Sequence, residues 1–95
     1  MLLLSKQDIQ KIFTMKEAIE AVKQAFMLFS EGKSNVPIRT QIVSEDKKGT
    51  FLFMPSYSSH INAAGLKIVN IFPENIEKGL PTAPAQVLLM VEKLA

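Results

Sequence analysis

Ala63-Ala64-Gly65-Leu66-Lys67-Ile68-Val69-Asn70-Ile71-Phe72-Pro73 is the stretch whose reading decides the fold. It is dominated by aliphatic and β-branched residues and stops at a proline, so it reads as a largely buried strand over Gly65 to Phe72. Its one charge, Lys67, is costly in such a place unless it is paired or put to use. The plain reading is an edge-strand lysine whose ammonium snorkels to water. The other reading brings in the chain's single arginine, Arg39, which sits in a loop just after Pro37. One lysine on a strand and one arginine on a loop have the chemistry to hold a small anion such as a carboxylate. Composition alone favours the snorkelling lysine.

Working outward from this strand, the preceding segment divides into strands and turns. Val36-Pro37 forces an extended backbone, and Thr40 to Val43 has strand composition. Ser44-Glu45-Asp46-Lys47-Lys48-Gly49 is a turn cluster. It predicts a hairpin between Thr40–Val43 and a return strand over Thr50–Met54. Pro55 to Asn62 reads as a loop carrying the only histidine, His60. On the far side, Pro73 to Pro84 reads as an irregular connection with Gly79 and three prolines, followed by an apolar strand from Ala85 to Val91.

The first third is helical. Leu2 to Leu4 reads as a short strand or an apolar lead-in. Ser5-x-x-Asp8 opens a short helix through about Phe13. Thr14-x-x-Glu17 is a capping box, and Met15, Ile19, Val22, Phe26 and Phe29 then recur at alternating steps of four and three. That spacing makes one apolar stripe. Lys16, Glu20, Lys23 and Glu31 fall off it, and Gly32 is placed to end the helix.

Length and composition bound the rest. Ninety-five residues with 47% hydrophobic and 21% charged side chains make one small folded domain, residues 1–95. The net charge is +2 with lysines spread along the chain, which argues against a nucleic-acid partner. No cysteine is present, so no disulfide and no thiolate site arises; this fits a reducing, cytoplasmic setting. No run approaches the roughly 20 apolar residues of a membrane helix. There is no G-x-G-x-x-G, no P-loop and no metal-ligand spacing. His60, in a serine-rich loop without a carboxylate partner, reads as a solvated loop histidine.

One ordered set of short motifs goes further. The chain has an opening Leu3-Leu4-Ser5, then Met15-Lys16-Glu17-Ala18-Ile19-Glu20-Ala21-Val22, then Phe29-Ser30-Glu31-Gly32-Lys33. Arg39-Thr40, Phe53-Met54-Pro55, Ala64-Gly65-Leu66-Lys67-Ile68-Val69, Phe72-Pro73-Glu74-Asn75 and Gly79-Leu80-Pro81-Thr82 follow in turn. No single piece is specific, but the ordered set resembles the N-terminal region of the ornithine cyclodeaminase/μ-crystallin family. That family includes ornithine cyclodeaminases, alanine dehydrogenases and ketimine reductases.

The resemblance implies the following. Family members bind a small amino or keto acid next to a nicotinamide. Arg39 matches the position that grips the substrate carboxylate. Lys67 matches the position that bonds that carboxylate or, if desolvated by burial, moves a proton at the reacting carbon. Met54 matches a pocket wall, and Thr82 a threonine that contacts the dinucleotide. On this resemblance Lys67 changes from a snorkelling surface charge to a catalytic and substrate-binding candidate.

The expected fold is α+β: a long capped helix and a short helix packed on a mostly antiparallel sheet. The resemblance makes it a substrate-binding and dimerisation domain without its Rossmann domain, forming a homodimer through sheet pairing. The expected function is the substrate-binding and dimerisation part of an NAD(P)-dependent enzyme of amino-acid metabolism. Such a part, lacking the family's glycine fingerprint and catalytic aspartate, is expected to be inactive alone and to bind no dinucleotide by itself. The alternative is a non-catalytic dimeric module, binding small carboxylates or serving a structural role, left from a truncated gene.

Overall fold

The computed structural model describes residues 1–91. Two compact units make up the chain, Met1–Gly32 and the residues from Lys33 onward.

The first unit is two helices, each started by its own sequence. Helix α1 (Lys6–Ile12) begins at Ser5 and helix α2 (Met15–Ser30) at Thr14, and both caps are complete capping boxes. In α1 the Ser5 amide donates to Asp8 Oδ2 at 2.9 Å, and the Asp8 amide donates to Ser5 Oγ at 3.1 Å. In α2 the Thr14 amide donates to Glu17 Oε1 at 3.1 Å, and the Glu17 amide donates back to Thr14 Oγ1 at 3.1 Å. Four amides that would otherwise lack partners are thus satisfied locally. Along α2, Met15, Ala18, Ile19, Val22, Lys23 and Phe26 line one groove: four of the five stripe residues are in it, while Phe29 is not and Lys23, expected off the stripe, is. Gly32 adopts φ 73°, the left-handed conformation that ends a helix cheaply only at glycine. Leu2–Leu4 forms neither strand nor helix.

The second unit is a five-stranded antiparallel sheet. Its strands are β1 (Ser34–Asn35), β2 (Thr40–Val43), β3 (Thr50–Ser58), β4 (Ala63–Ile71) and β5 (Ala85–Val91). β4 lies between β3 and β5, while β1 and β2 share the other side of β3. The predicted hairpin forms, with Thr40 paired to Phe53 and Val43 to Thr50. Its turn is held by Ser44 and Asp46: the Ser44 hydroxyl donates to Asp46 Oδ1 at 2.7 Å, the Lys48 amide donates to Asp46 Oδ1 at 3.0 Å, and Lys47 takes φ 60°.

Three segments differ from expectation. Pro55 to Ser58 is strand, not loop, and the loop shrinks to Ser59–Asn62. The proline is tolerated because neither β1 nor β2 pairs with Met54–Ser56 on the outer side of β3, so no ladder bond there needs its missing N–H. The central strand starts two residues earlier, at Ala63, since pairing to Ser58 carries the alanines into the sheet. Pro73–Lys78 is a 3₁₀ helix, closed by Gly79 at φ 69° and by Asn75 Nδ2 donating to the Pro81 carbonyl at 3.0 Å.

Alternation along the strands sorts the two faces. Leu52, Ala63 and Val69 share one face and are the buried apolar residues of the described chain. On the other, the Phe51 and Phe72 rings meet edge to face with centroids 5.4 Å apart. Gly49 is buried beneath Phe72, and a Cβ there would lie against the ring carbons with no room to fit. β5 is exposed at all seven positions.

Two outcomes follow from these contacts. Gly49→Ala should lower stability by about 1–3 kcal/mol in urea unfolding through overpacking against Phe72. Phe72→Leu in the same background should return part of that loss; equal losses with and without Phe72 would contradict the packing account. The second concerns acid. The Ser5 amide, then its hydroxyl, hold the Asp8 carboxyl below its ordinary 3.8. A lowered carboxyl contributes stability fully above its ordinary value and loses it as pH falls through the folded one. Protection of the α1 amides, measured against their intrinsic exchange rates at each pH, should therefore fall as pH drops below 3.8, and Asp8→Asn should remove that dependence.

Candidate functional site

The strand register sets where the sequence-derived candidates stand. Lys67 pairs directly with Met54 of β3 on one side and Val87 of β5 on the other. Thr40 pairs with Phe53, so Arg39, one residue earlier, stands level with Met54 where the β2–β3 ladder ends. Gln41 pairs with Leu52 and so shares the face of Met54 and Lys67; Arg39 lies two residues before it, one residue outside β2. Adjacent strands lie about 4.8 Å apart, so the backbones of Arg39 and Lys67 stand about 10 Å from each other with Met54 between them. Two long cationic side chains rooted at that separation can converge on one small anion above the Met54 thioether.

Burial departs from the sequence reading. Lys67 is exposed, although it lies on an interior strand with neighbours on both sides. It is therefore neither a buried charge nor an edge-strand lysine. The apolar signal of the segment comes from its neighbours: Ala63 and Val69, on the same face, are 6% and 8% exposed. Among the described residues none covers Lys67 enough to supply the desolvation on which a proton-moving lysine depends. Arg39 is exposed and Met54 half-buried. None of the five strands contains an aspartate or glutamate, so the face around Lys67 carries no competing carboxylate from the sheet itself.

Thr82 stands apart from this row. The Phe72 amide donates to the Thr82 carbonyl at 2.8 Å, and the Asn70 amide to that of Pro84 at 3.1 Å, extending the β4–β5 ladder beyond its last strand pair. Thr82 is thus level with Phe72, five residues and about 16 Å along β4 from Lys67. The same alternation puts it with Phe72 and Phe51, on the face opposite Lys67. The sheet pairs Lys67 with Met54, has Arg39 one residue before the start of β2, and leaves Thr82 half-buried at its far end.

His60 is exposed in the tight turn between β3 and β4, as a solvated histidine should be. Among the described residues no group of His, Asp and Glu is placed to hold a metal ion. No helix among them is long and apolar enough to cross a membrane. The residue that sequence reasoning passed over is Gly65, which shares a face with Lys67 two positions before it and pairs with Ser56 and Leu89.

Comparison with known proteins gives a consistent picture. The alanine dehydrogenase of Archaeoglobus fulgidus is 38% identical over 88 residues, covering 93% of this chain and 26% of the relative. A Δ1-pyrroline-2-carboxylate reductase of Bacillus cereus is 35% identical over 89 residues, covering 94% of this chain and 27% of the relative. Among solved structures, the Δ1-pyrroline-2-carboxylate reductase of Thermococcus litoralis, in complex with NADH and L-proline, superposes with a TM-score of 0.92 at 46% identity, over 98% of this chain and 29% of that one. An archaeal alanine dehydrogenase dimer with bound NAD superposes with a TM-score of 0.86 at 36% identity, over 97% of this chain and 28% of that one. The chain spans about a quarter of the length of these relatives, matching their N-terminal part. The α+β arrangement of helices and antiparallel sheet is that of their N-terminal domain. The sequence profile of the ornithine cyclodeaminase/mu-crystallin family matches residues 1–93, and the chain belongs to that family.

Proposed function

We propose that this chain forms the substrate-binding and dimerisation part of an NAD(P)-dependent enzyme of amino-acid metabolism, and that its exposed cationic row holds the carboxylate of a small amino, imino or keto acid. The observation that carries this reading is the pairing of Lys67 with Met54, beside Phe53, whose β2 partner Thr40 directly follows Arg39. The planar guanidinium of Arg39 suits a two-point grip on a carboxylate, whereas the Lys67 ammonium acts as a point charge. Lys67 is also the group on this chain that can move a proton at the reacting carbon once a covering layer desolvates it. Met54 supplies the apolar floor. Met54 is half-buried against β4, so its position is fixed by the sheet rather than by the ligand.

The dinucleotide, when bound, supplies the hydride chemistry. Toward it this chain offers the Thr82 hydroxyl at the end of the sheet, and its sequence contains no glycine fingerprint. Thr82 stands on the face opposite Lys67, so the residues of this chain do not by themselves make a dinucleotide site, and their work is to hold and orient the acid. NADH and NAD in the two structural relatives support the cofactor class.

Dimerisation is supported by β5. It is the last strand of the sheet, with its outer side unpaired in the described chain, and Val87, Leu89 and Met90 are 69%, 67% and 64% exposed. An unpaired apolar edge strand is a ready template for a second chain. The archaeal alanine dehydrogenase relative is a dimer.

Titration of the 95-residue chain with acetate, followed by amide chemical shifts, tests the carboxylate site. Saturable shifts at Met54, Lys67 and Val87 are expected, with a Kd in the millimolar range, about −4 kcal/mol. Arg39→Ala should weaken binding about 10- to 100-fold, the loss of a charge-assisted hydrogen bond of about 1.5–3 kcal/mol. If Lys67→Met raises stability and leaves acetate binding unchanged, Lys67 is a structural residue and the reading fails. Sedimentation at micromolar concentration should find a dimer, and Leu89→Lys should shift it to monomer; a monodisperse monomer of the parent chain would overturn the dimer.

A further inference from the structure

We propose that Gly65 is a specificity-determining residue of the site beside it: its missing side chain keeps open the space that receives the body of the acid held by Arg39 and Lys67. This rests on the carboxylate reading above and adds to it the size and class of the ligand.

The argument comes from comparing the chain's four glycines. Gly32 and Gly79 have φ of 73° and 69°, where other residues are strained. Gly49 lies under the Phe72 ring, which leaves no room for a Cβ. Gly65 has none of these reasons. Its φ lies outside the left-handed region, and a Cβ built on it would meet the Leu88 carbonyl at 3.7 Å and Ser56 Oγ at 3.8 Å, both ordinary contacts. No bulge is present, because β4 pairs residue for residue with β3 and β5 through Ser56, Gly65 and Leu89.

A glycine inside a regular strand costs conformational entropy and packs nothing. With turn, bulge and crowding excluded, the remaining cause is close approach of a ligand or another backbone. The neighbour two residues along the same face is Lys67, which points to a ligand. On its face Gly65 has Ser56 and Leu89 at its own level and Met54, Lys67 and Val87 at the next. One hydroxyl among aliphatic walls, with two cations at the carboxylate end, suits a compact, uncharged body. The ligand class is therefore a small monocarboxylic amino or imino acid with a short or cyclic hydrocarbon body.

The test compares the parent chain with Gly65→Ala and Gly65→Val, titrated with acetate and with L-proline and followed by amide shifts. Both variants should keep or raise the unfolding midpoint, since alanine and valine suit a strand better than glycine. Acetate affinity should stay within about twofold, while L-proline weakens about tenfold in Gly65→Ala and further in Gly65→Val, because only the larger acid needs the recess. Equal effects on the two acids, or none on L-proline, overturn the role of Gly65 while leaving the carboxylate site standing. Unchanged L-proline binding with altered self-association by sedimentation assigns the gap to a partner backbone, and also overturns it. Failure of the parent chain to bind either acid overturns the carboxylate reading itself.

Discussion

The residue-for-residue pairing of β4 with β3 on one side and β5 on the other is the constraint on which the rest of this structure depends. Side chains alternate with period two, so a slip of one residue would exchange the faces of the entire strand. In the observed register Val69 and Ala63 turn to the face of Leu52, and Lys67 turns with them. The charge reaches water because its immediate neighbours are a flexible methionine and a strand that nothing in the described chain covers. The same register pairs Lys67 with Met54, next to the end of the β2–β3 ladder that Arg39 precedes by one residue. Fold stability and the candidate site are thus consequences of one set of hydrogen bonds.

Around that constraint the local devices are independent of one another. Two capping boxes start two helices within the first unit, and Ser44 with Asp46 fixes the hairpin that sets the β2–β3 register. Gly49 and Phe72 join the hairpin to the segment after β4, and Asn75 with Gly79 returns the chain toward β5. Each device acts over a few residues, which is why the sequence announces them. The exposed ion pair between Lys48 and Glu74 at 3.8 Å adds little, as surface pairs commonly do.

Where sequence and structure part, the reason is non-local. The serine- and proline-rich segment from Pro55 to Ser58 has loop composition, yet four consecutive pairs with β4, the last of nine along β3, carry it as strand. Pairing context outweighs intrinsic preference in sheets. The irregular connection after Pro73 holds a 3₁₀ helix, since short 3₁₀ segments need no periodic apolar pattern to form. The apolar run around Lys67 suggests burial, but apolar composition records what a strand needs beside it and not how many layers a single chain provides. Gly65 passed without remark in the sequence because a glycine in a strand is ambiguous until its φ, its pairing and its surroundings are known.

The sequence by itself determined the helices and their caps, the hairpin, the apolar strands, the family likeness and the candidate residues Arg39, Met54, Lys67 and Thr82. These follow from local chemistry and residue order, which a linear chain displays directly. Only the tertiary structure decided that Lys67 pairs with Met54, next to the end of the β2–β3 ladder that Arg39 precedes by one residue, that Thr82 stands at the far end of the sheet, and that Gly65 has no steric duty of its own. Those are statements about register, and register is fixed by which strands meet, a property of the folded chain and not of any one segment.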